Sequence, residues 1–550
     1  MITDEQFVER MALVDRLTDP GARLETEEHE VRGVVRRSYR RRADNLAAMF
    51  TDAVERNSGA VVLVDQDHAR TFQELLDHAL AIATNLYDSG VQRGDRVGIL
   101  GANSIEWVEA FWACALAGFV SVPLNALWTR AELAYAIAHS EMVCCFVDAK
   151  RHSVVEGLVG DVALVPLEQL ETIEQRSRFT GPGALGEDGL LSLFYTSGTT
   201  GRPKGAMIDH RGIIANLENL VYFTIRSRIL KGTPRRSPDT PRKQRISLLA
   251  VPLFHVTGCH AAMVVSLVFG NQIVLYPPRA FVPVVAMEIM QRHKIDTLVC
   301  VPTLMARILD DPRFSEFDLS SLETVGFGGA PVSPDLARRT RSALGGLESF
   351  SNGYGLTETN AAVIGNYGIE YELRPDSVGK PAPNVDVAIV DEQSRAVRPG
   401  ERGEILSGGP MLMAGYWRDS VATDAAIRDG WLHTEDVGLV DEDGYISVVD
   451  RIKDVVIRGG ENVYSAEVEH VIQAHPDVIE AAVVGVAHPK LGEEVKAIVV
   501  SRTKVDVATL AEYCRGRLAS FKVPVYREFL DDSLPRNAAE KVRKTNLRGV

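Results

Sequence analysis

The sequence predicts an α/β protein in two unequal parts: a large, multi-layer N-terminal domain of α/β subdomains and a small, mobile α+β C-terminal domain. Three observations predict it. At 550 residues the chain exceeds what a single hydrophobic core serves. Strand-like and helix-like runs alternate across 60–150 and again across 295–327. Beyond Asp450–Lys453 the remaining residues carry short strands of their own with helical segments between them.

In chain order, AVVLVD (60–65) reads as a strand. Thr71 and Glu74 form a capping box that opens a helix ending near Gly90. DRVGIL (95–100) is a buried strand, and 104–117 is a helix with Gly118 as its C′ residue. IDTLVCV and LETVGFG flank a helix within 295–327, and largely parallel sheets follow from such alternation. VGFGG (325–329) approaches G-x-G-x-x-G, but Pro331 stands at the last glycine position, which argues against a dinucleotide fold. Near the C-terminus, AAVVGVA (481–487) and EVKAIVVS (494–501) are short strands. The domain division expected is 1–43 as an N-terminal extension, 44–452 as the large domain and 453–550 as the small one.

Composition narrows the function. Hydrophobic content of 45% and charged content of 24% are those of a soluble globular protein. A net charge of −14 argues against general nucleic-acid binding. Six cysteines without C-x-x-C spacing suggest neither a zinc site nor a disulfide framework; they read as small buried hydrophobes. No run reaches the ~18 apolar residues of a membrane span, and the acidic N-terminus lacks a signal-peptide core, so a reduced, cytoplasmic location is expected. Two clusters are strongly basic, 32–42 and the Pro-containing 226–245. The first reads as solvated surface and the second as a mobile loop. The sharper alternative is that both attract acidic lipid, fatty acid or CoA phosphates, giving peripheral membrane contact.

The segment YTSGTTGRPKG (195–205) concentrates glycines, hydroxyls and a lysine between two apolar runs, a mixture suited to surrounding phosphate oxygens. It is not a Walker loop. Pro203 occupies the position of the second glycine, and Gly205 stands where the magnesium-binding hydroxyl belongs. LSLFY (191–195) before it and AMID (206–209) after it both read as strands, so the loop joins two strands rather than a strand and a helix.

That loop is followed in order by SNGYGLTET (351–359), WLHTEDVG (431–438), DRIKDVVIRGGENVYSAEVE (450–469) and LPRNAAEK (534–541). The set resembles the adenylate-forming superfamily, in its acyl-CoA synthetase and fatty-acid–CoA ligase branch, over roughly 44–550. The resemblance implies a two-step reaction using ATP, Mg²⁺ and CoA. A carboxylate attacks the α-phosphorus of ATP, giving acyl-AMP and pyrophosphate; a thiol then attacks the acyl carbon and releases AMP. Positioning and charge stabilisation carry such catalysis.

The same resemblance implies roles for individual residues. Thr196, Ser197, Gly198, Thr199, Thr200, Gly201 and Lys204 would cradle the departing pyrophosphate. Thr357 would bond the α-phosphate, and Glu358 would hold Mg²⁺. Tyr354 and Gly355 would face the nucleotide, with Gly328, Gly329 and Ala330 bringing backbone close to the base and Asn352 bonding its amino group. Asp436 would accept from both ribose hydroxyls, and Arg451 would bind ribose or phosphate oxygens. Lys541 would bridge the substrate carboxylate and α-phosphate. Lys453 would be the hinge on which the small domain rotates, and Gly459 and Gly460 would line the pantetheine tunnel. His255 would gate that tunnel, or else be a buried core histidine. The chain departs from the family pattern at Glu435 and Glu540, where glycine is usual.

The acid pocket is expected near 255–263, 327–330 and 354–362, among small apolar residues (Gly258, Ala261, Ala262, Ala361, Ala362) with no cation for a second charge. That favours an uncharged hydrophobic acid, fatty or bulky-ringed, with aromatic acids next. The partner expected is this small-molecule acid, with the enzyme a monomer or homodimer. The alternatives are a stand-alone acyl-AMP ligase serving a carrier protein, a luciferase-type oxidation, and a nucleotide-binding protein without catalysis.

Overall fold

The computed structural model describes residues 4–548 apart from 67, 159, 175–177, 180, 182, 197–201, 234–242, 331, 504, 532 and 537–541. Its α/β architecture is the one expected: three large-domain sheets with their helices, then a small domain with a separate sheet. The main hydrophobic core gathers residues from Val14 to Ile446, and a second core gathers residues from Val456 to Val523.

The first large sheet has six strands in the spatial order Lys204–Asp209, Leu190–Thr196, Val120–Leu124, Arg96–Leu100, Cys144–Val147, Ala163–Pro166. All neighbours are parallel except the first pair, an antiparallel hairpin carrying the glycine-rich loop at its tip. The second sheet has nine strands. At its centre Thr297–Cys300, Thr324–Gly328 and Ser349–Leu356 lie side by side and parallel. Ala361–Tyr367 then pairs antiparallel with the last of them. A third, five-stranded antiparallel sheet includes Trp431–Val440 and Ile446–Arg451, the latter ending just before the turn Ile452–Asp454.

Local signals explain the element boundaries. Thr71 accepts from the Glu74 N–H while Glu74 reaches back to the Thr71 N–H, so the capping box of the helix Phe72–Asp88 is complete. Ser104 caps the helix Ile105–Ala117, and Gly118 ends it with φ of 76°. In the small domain, Val478–His488 and Gly492–Ser501 form a hairpin longer than the two short runs suggest. Asn360 and Ala361, by contrast, take positive φ without being glycine.

Both basic clusters take part in the fold. Residues 32–39 belong to the hairpin Thr26–Val31/Val34–Tyr39, and Arg32, Arg37, Arg40 and Arg41 are exposed, as the solvated-surface reading expects, although several arginines of the cluster also have acidic partners. Arg32 pairs with buried Asp209, Arg36 meets Asp386 at 2.9 Å and stands 4.9 Å from the Trp431 ring, and Arg42 meets Glu187 at 3.0 Å. The expectation of a mobile loop over 226–245 is corrected at both ends. The helix His210–Lys231 continues through its first residues, and Arg226 forms a buried bidentate pair with Glu370 at 2.6 and 2.8 Å. Lys243 and Arg245 pair with Glu323. Residues 234–242 lie outside the described residues. The six cysteines are free and buried, as expected. Among the described residues, no helix is long and apolar enough to cross a membrane.

Candidate active site

The carboxyl ends of parallel strands are where α/β sheets bind ligands. Here Gly328, at such an end, stands in register with Gly353 of the neighbouring strand. The chain leaves the first strand through Gly329, with φ of 78°, and Ala330. Asn352, Tyr354 and Gly355 lie on the neighbouring strand.

Tyr354 donates its hydroxyl to Asp436 Oδ2 at 2.8 Å. Asp436 is only 3% exposed and faces Arg451 in the antiparallel pair of the third sheet. Arg451 Nε meets the other carboxylate oxygen at 3.0 Å. Burial, followed by the nearby Asp436 charge, raises the Tyr354 phenol well above its ordinary value, so it remains a donor. Three motifs distant in sequence therefore converge on one carboxylate.

The departure at Glu435 has a physical meaning. Its φ is 59°, the left-handed region in which glycine is the unstrained residue. The turn is held by Glu404, whose carboxylate accepts from the Glu435 N–H at 3.1 Å and lies 2.9 Å from His433 Nδ1.

Thr357 and Glu358 lie in the short turn Thr357–Thr359. Gly355 must be glycine there: a Cβ would come 1.8 Å from the Ala361 carbonyl oxygen. The Thr359 hydroxyl accepts from the Leu356 N–H and donates to Ala361 O, both at 2.8 Å. Glu358 accepts from the Tyr416 hydroxyl at 2.8 Å, and Lys204 Nζ stands 5.2 Å from the Tyr416 ring centroid. Lys204 pairs in register with Thr196. Burial and Glu358 together raise the Tyr416 phenol. Tyr416 was not legible in the sequence, since no fixed spacing relates GYW (415–417) to Glu358. Ser197, Gly198, Thr199, Thr200 and Gly201 lie outside the described residues, as do Glu540 and Lys541.

His255 is half-buried, lines the cleft and lies 4.8 Å from the Phe254 ring. A π-helix, Thr257–Val264, follows it. Gly258 is required at its start, because a Cβ would meet the Pro252 carbonyl oxygen at 2.1 Å. The buried core histidine of this segment is His260, 1% exposed, edge-on to Phe194 at 4.9 Å and lowered by burial to about 3. Of the small residues expected at the acid pocket, Ala261, Ala361 and Ala362 line the cleft; Gly258 and Ala262 do not.

Lys453, the residue expected as the hinge, is exposed in the turn Ile452–Asp454, and Arg548 donates to its carbonyl. Asp450 accepts from the Ser465 N–H and from the Ala466 N–H at 3.3 Å, capping the helix Ser465–Gln473 from the end of the third sheet. Gly459 and Gly460, expected to line a tunnel, form the tip of the hairpin Val456–Arg458/Glu461–Val463, with φ of 61° and 88°. That tip does not line the cleft in this arrangement; Ile457 and Asn462 do. A two-residue hairpin turn with both φ positive is itself a sufficient reason for the glycine pair.

The remaining described site residues line one continuous cleft of about 3250 Å³, reached also by Arg536, Val542 and Lys544. Among the described residues, no group of three or more His, Cys, Asp or Glu side chains is arranged to hold a metal. A single carboxylate such as Glu358 suits Mg²⁺, which is held largely by water and substrate phosphates.

The profile of the AMP-binding enzyme family matches residues 50–417, and that of the AMP-binding enzyme C-terminal domain matches 467–541. The chain belongs to the AMP-binding enzyme family. This AMP-binding enzyme is 37% identical to a feruloyl-CoA synthase from an Amycolatopsis species, over 87% of this chain and 94% of the relative. It is 31% identical to a long-chain-fatty-acid–CoA ligase of Bacillus subtilis, over 91% and 94%. Among solved structures, it resembles o-succinylbenzoate coenzyme A synthetase of Bacillus subtilis in complex with ATP and magnesium ion. The TM-score is 0.79 and identity 28%, over 92% of this chain and all (100%) of that one.

Proposed function

We propose that this chain, an AMP-forming acid–thiol ligase, activates a hydrophobic carboxylic acid as acyl-AMP and passes the acyl group to the thiol of CoA. The observation that carries the reading is the convergence of Tyr354, Asp436 and Arg451 on the cleft that Thr357 and Glu358 also line. In this reading Asp436 accepts from the ribose hydroxyls, and Tyr354 and Arg451 hold its carboxylate in place. Gly328, Gly329 and Ala330 leave room for the base, beside Asn352. Thr196, Lys204 and Thr357 contact the phosphates.

A substrate carboxylate oxygen attacks the α-phosphorus, and the bond to the bridging oxygen breaks as pyrophosphate leaves. Lys541 neutralises the charge that develops between the two anions. Glu358 would hold Mg²⁺, which supplies further neutralisation of the phosphates when bound. In the second step the CoA thiol, having lost its proton, attacks the acyl carbon, and AMP leaves. Lys453 is the hinge for the change between steps, and His255 gates the thiol's path.

The test is AMP release from ATP with a panel of acids, with and without CoA. Release dependent on both acid and CoA supports the ligase. Acid-dependent pyrophosphate exchange without CoA consumption would move the enzyme to carrier-dependent acyl transfer. Lys541→Ala should lower acid-dependent pyrophosphate release at least about a hundredfold. Full retention would remove Lys541 from the mechanism.

A further inference from the structure

Lys204 and Glu358 carry opposite charges on one cleft, and an ammonium and a carboxylate so placed attract each other. In the proposed reaction Lys204 serves the phosphates and Glu358 the Mg²⁺ ion. A pair that closed on itself would serve neither. Among the described residues, Lys204 and Glu358 form no ion pair; each meets Tyr416 instead. The Tyr416 hydroxyl donates to Glu358 Oε1 at 2.8 Å, and the Tyr416 ring centroid lies 5.2 Å from Lys204 Nζ. One half-buried side chain thus engages both charges, the anion by its hydroxyl and the cation by its ring.

The strap that carries Tyr416 fixes where it stands. It runs beside the strand Lys204–Asp209, which leaves the glycine-rich loop. The Ala414 N–H donates to Met207 O at 2.8 Å, the Met207 N–H to Gly415 O at 2.9 Å, and the Trp417 N–H to Gly205 O at 2.7 Å. Tyr416 itself bridges to Ala206. At the near end of the strap, the Met413 N–H donates to the Glu358 carbonyl at 2.8 Å. The strap therefore ties the strand that begins at Lys204 to the backbone of Glu358. Its other bonds hold the aromatic pair: the Tyr416 N–H donates to Thr423 Oγ1 at 2.8 Å, and Trp417 Nε1 donates to His139 O at 3.1 Å. Residue 415 has to be glycine, since its φ is 140° and a Cβ would come 2.8 Å from Thr423 Cγ2.

A carboxylate with one oxygen held by a fixed donor presents the other in a set direction, which is how an outer partner tunes a metal-binding residue. Among the described residues, the second Glu358 oxygen accepts no hydrogen bond. A cation on an aromatic face is attracted by the ring but is not neutralised, so its charge stays available. We propose that Tyr416 is a positioning residue that keeps Lys204 and Glu358 from neutralising each other, its hydroxyl orienting the carboxylate for Mg²⁺ and its ring holding the ammonium for a nucleotide phosphate. The inference rests on the ligase reading for the two ligands and goes beyond it in naming what separates the residues that bind them.

The experiment measures binding, not turnover, on the full-length enzyme. Calorimetry follows α,β-methylene ATP binding in EDTA, and then Mg²⁺ binding to the enzyme–analogue complex. Tyr416→Phe keeps the ring and loses the hydroxyl. Its Kd for the analogue in EDTA should match the parent's, while its Kd for Mg²⁺ should rise about tenfold. A merely structural role would weaken both together. Tyr416→Leu loses the ring as well and lets Lys204 close on Glu358, so analogue binding in EDTA should weaken about fivefold. Glu358→Gln removes the competing carboxylate, and the tightening it gives in EDTA should be at least about threefold larger in the Leu background than in the parent. Tyr416→Met takes the place of the Leu variant if that one does not fold. A parent-like Mg²⁺ Kd in the Phe variant, or a rise in both constants together, overturns the orienting role. Equal tightening by Glu358→Gln in the two backgrounds overturns the separating role. Either result leaves the ligase reading standing, whereas a parent enzyme that binds the analogue in neither buffer removes the ATP reading itself and the inference with it.

Discussion

Tyr354 and Asp436, 82 residues apart in the chain, are joined by a 2.8 Å hydrogen bond from the phenol to the carboxylate. The bond links the second sheet to the third and orients the carboxylate proposed to take the ribose. Asp436→Asn should raise KM for ATP by about tenfold or more, because a hydrogen bond to a charged group contributes about 1.5–3 kcal/mol. Tyr354→Phe keeps the ring and loses only the bond, so a rise of about fivefold is expected. ATP titrations at saturating acid and CoA measure both. An unchanged KM in the Asn variant would put the ribose elsewhere.

Glu435 carries a left-handed backbone that glycine adopts without strain. Glu435→Gly should therefore stabilise the enzyme by about 1 kcal/mol, read as a higher Tm. The Glu404 bond to the backbone N–H survives the change. A lower Tm would mean that the Glu435 side chain contributes more than its conformation costs.

Arg32 reaches from the N-terminal hairpin to Asp209, which is 3% exposed and caps the helix His210–Lys231. Arg32 is exposed and Asp209 buried, so removing the arginine takes one partner from a buried carboxylate that still accepts from the Gly212 N–H. Arg32→Ala should cost about 1–2 kcal/mol in chemical denaturation, with KM for ATP and vesicle binding unaltered. Weaker binding to anionic vesicles without loss of stability would restore the surface-attraction reading of this cluster.

Glu109 lies buried at 0% exposure, 3.1 Å from Arg70 Nε and 3.6 Å from His78 Nδ1. Burial raises its carboxyl from 4.5 to about 7, with Arg70 opposing. A carboxyl raised by folding contributes stability that is full below its unfolded value and is lost as pH climbs through the folded one. The loss from this group thus falls between 4.5 and about 7. Glu109→Gln removes the titration, so its Tm relative to the parent should be higher at about pH 8 than at about pH 5. A difference that stays constant with pH would refute this.

Much of the framework is legible in the linear sequence. The capping box at Thr71 and Glu74, the left-handed Gly118 and the strand-to-strand setting of the glycine-rich loop all rest on interactions within a few residues of one another. Such signals survive in the linear order because the atoms that interact are neighbours in it. The Tyr416 contact with Glu358 and the Asp450 cap on the helix Ser465–Gln473 left no comparable trace. The partners of the two basic clusters were hidden for the same reason. The charge of the clusters was plain, but their acidic partners, Asp209, Asp386, Glu370 and Glu323, lie far away in the chain.

The sequence by itself determined the α/β class, the ordered motifs and hence the kind of chemistry, since these follow from periodicity, capping and residue type at fixed short spacing. Only the tertiary structure decided that Asp436 is held by Tyr354 and Arg451, that His255 faces the cleft while His260 fills the core, and that Glu435 takes a glycine's conformation. Those outcomes depend on which strands become neighbours and which face each residue turns to the core. Pairing and facing are set by the burial of the whole apolar surface at once, which no short stretch of the chain contains.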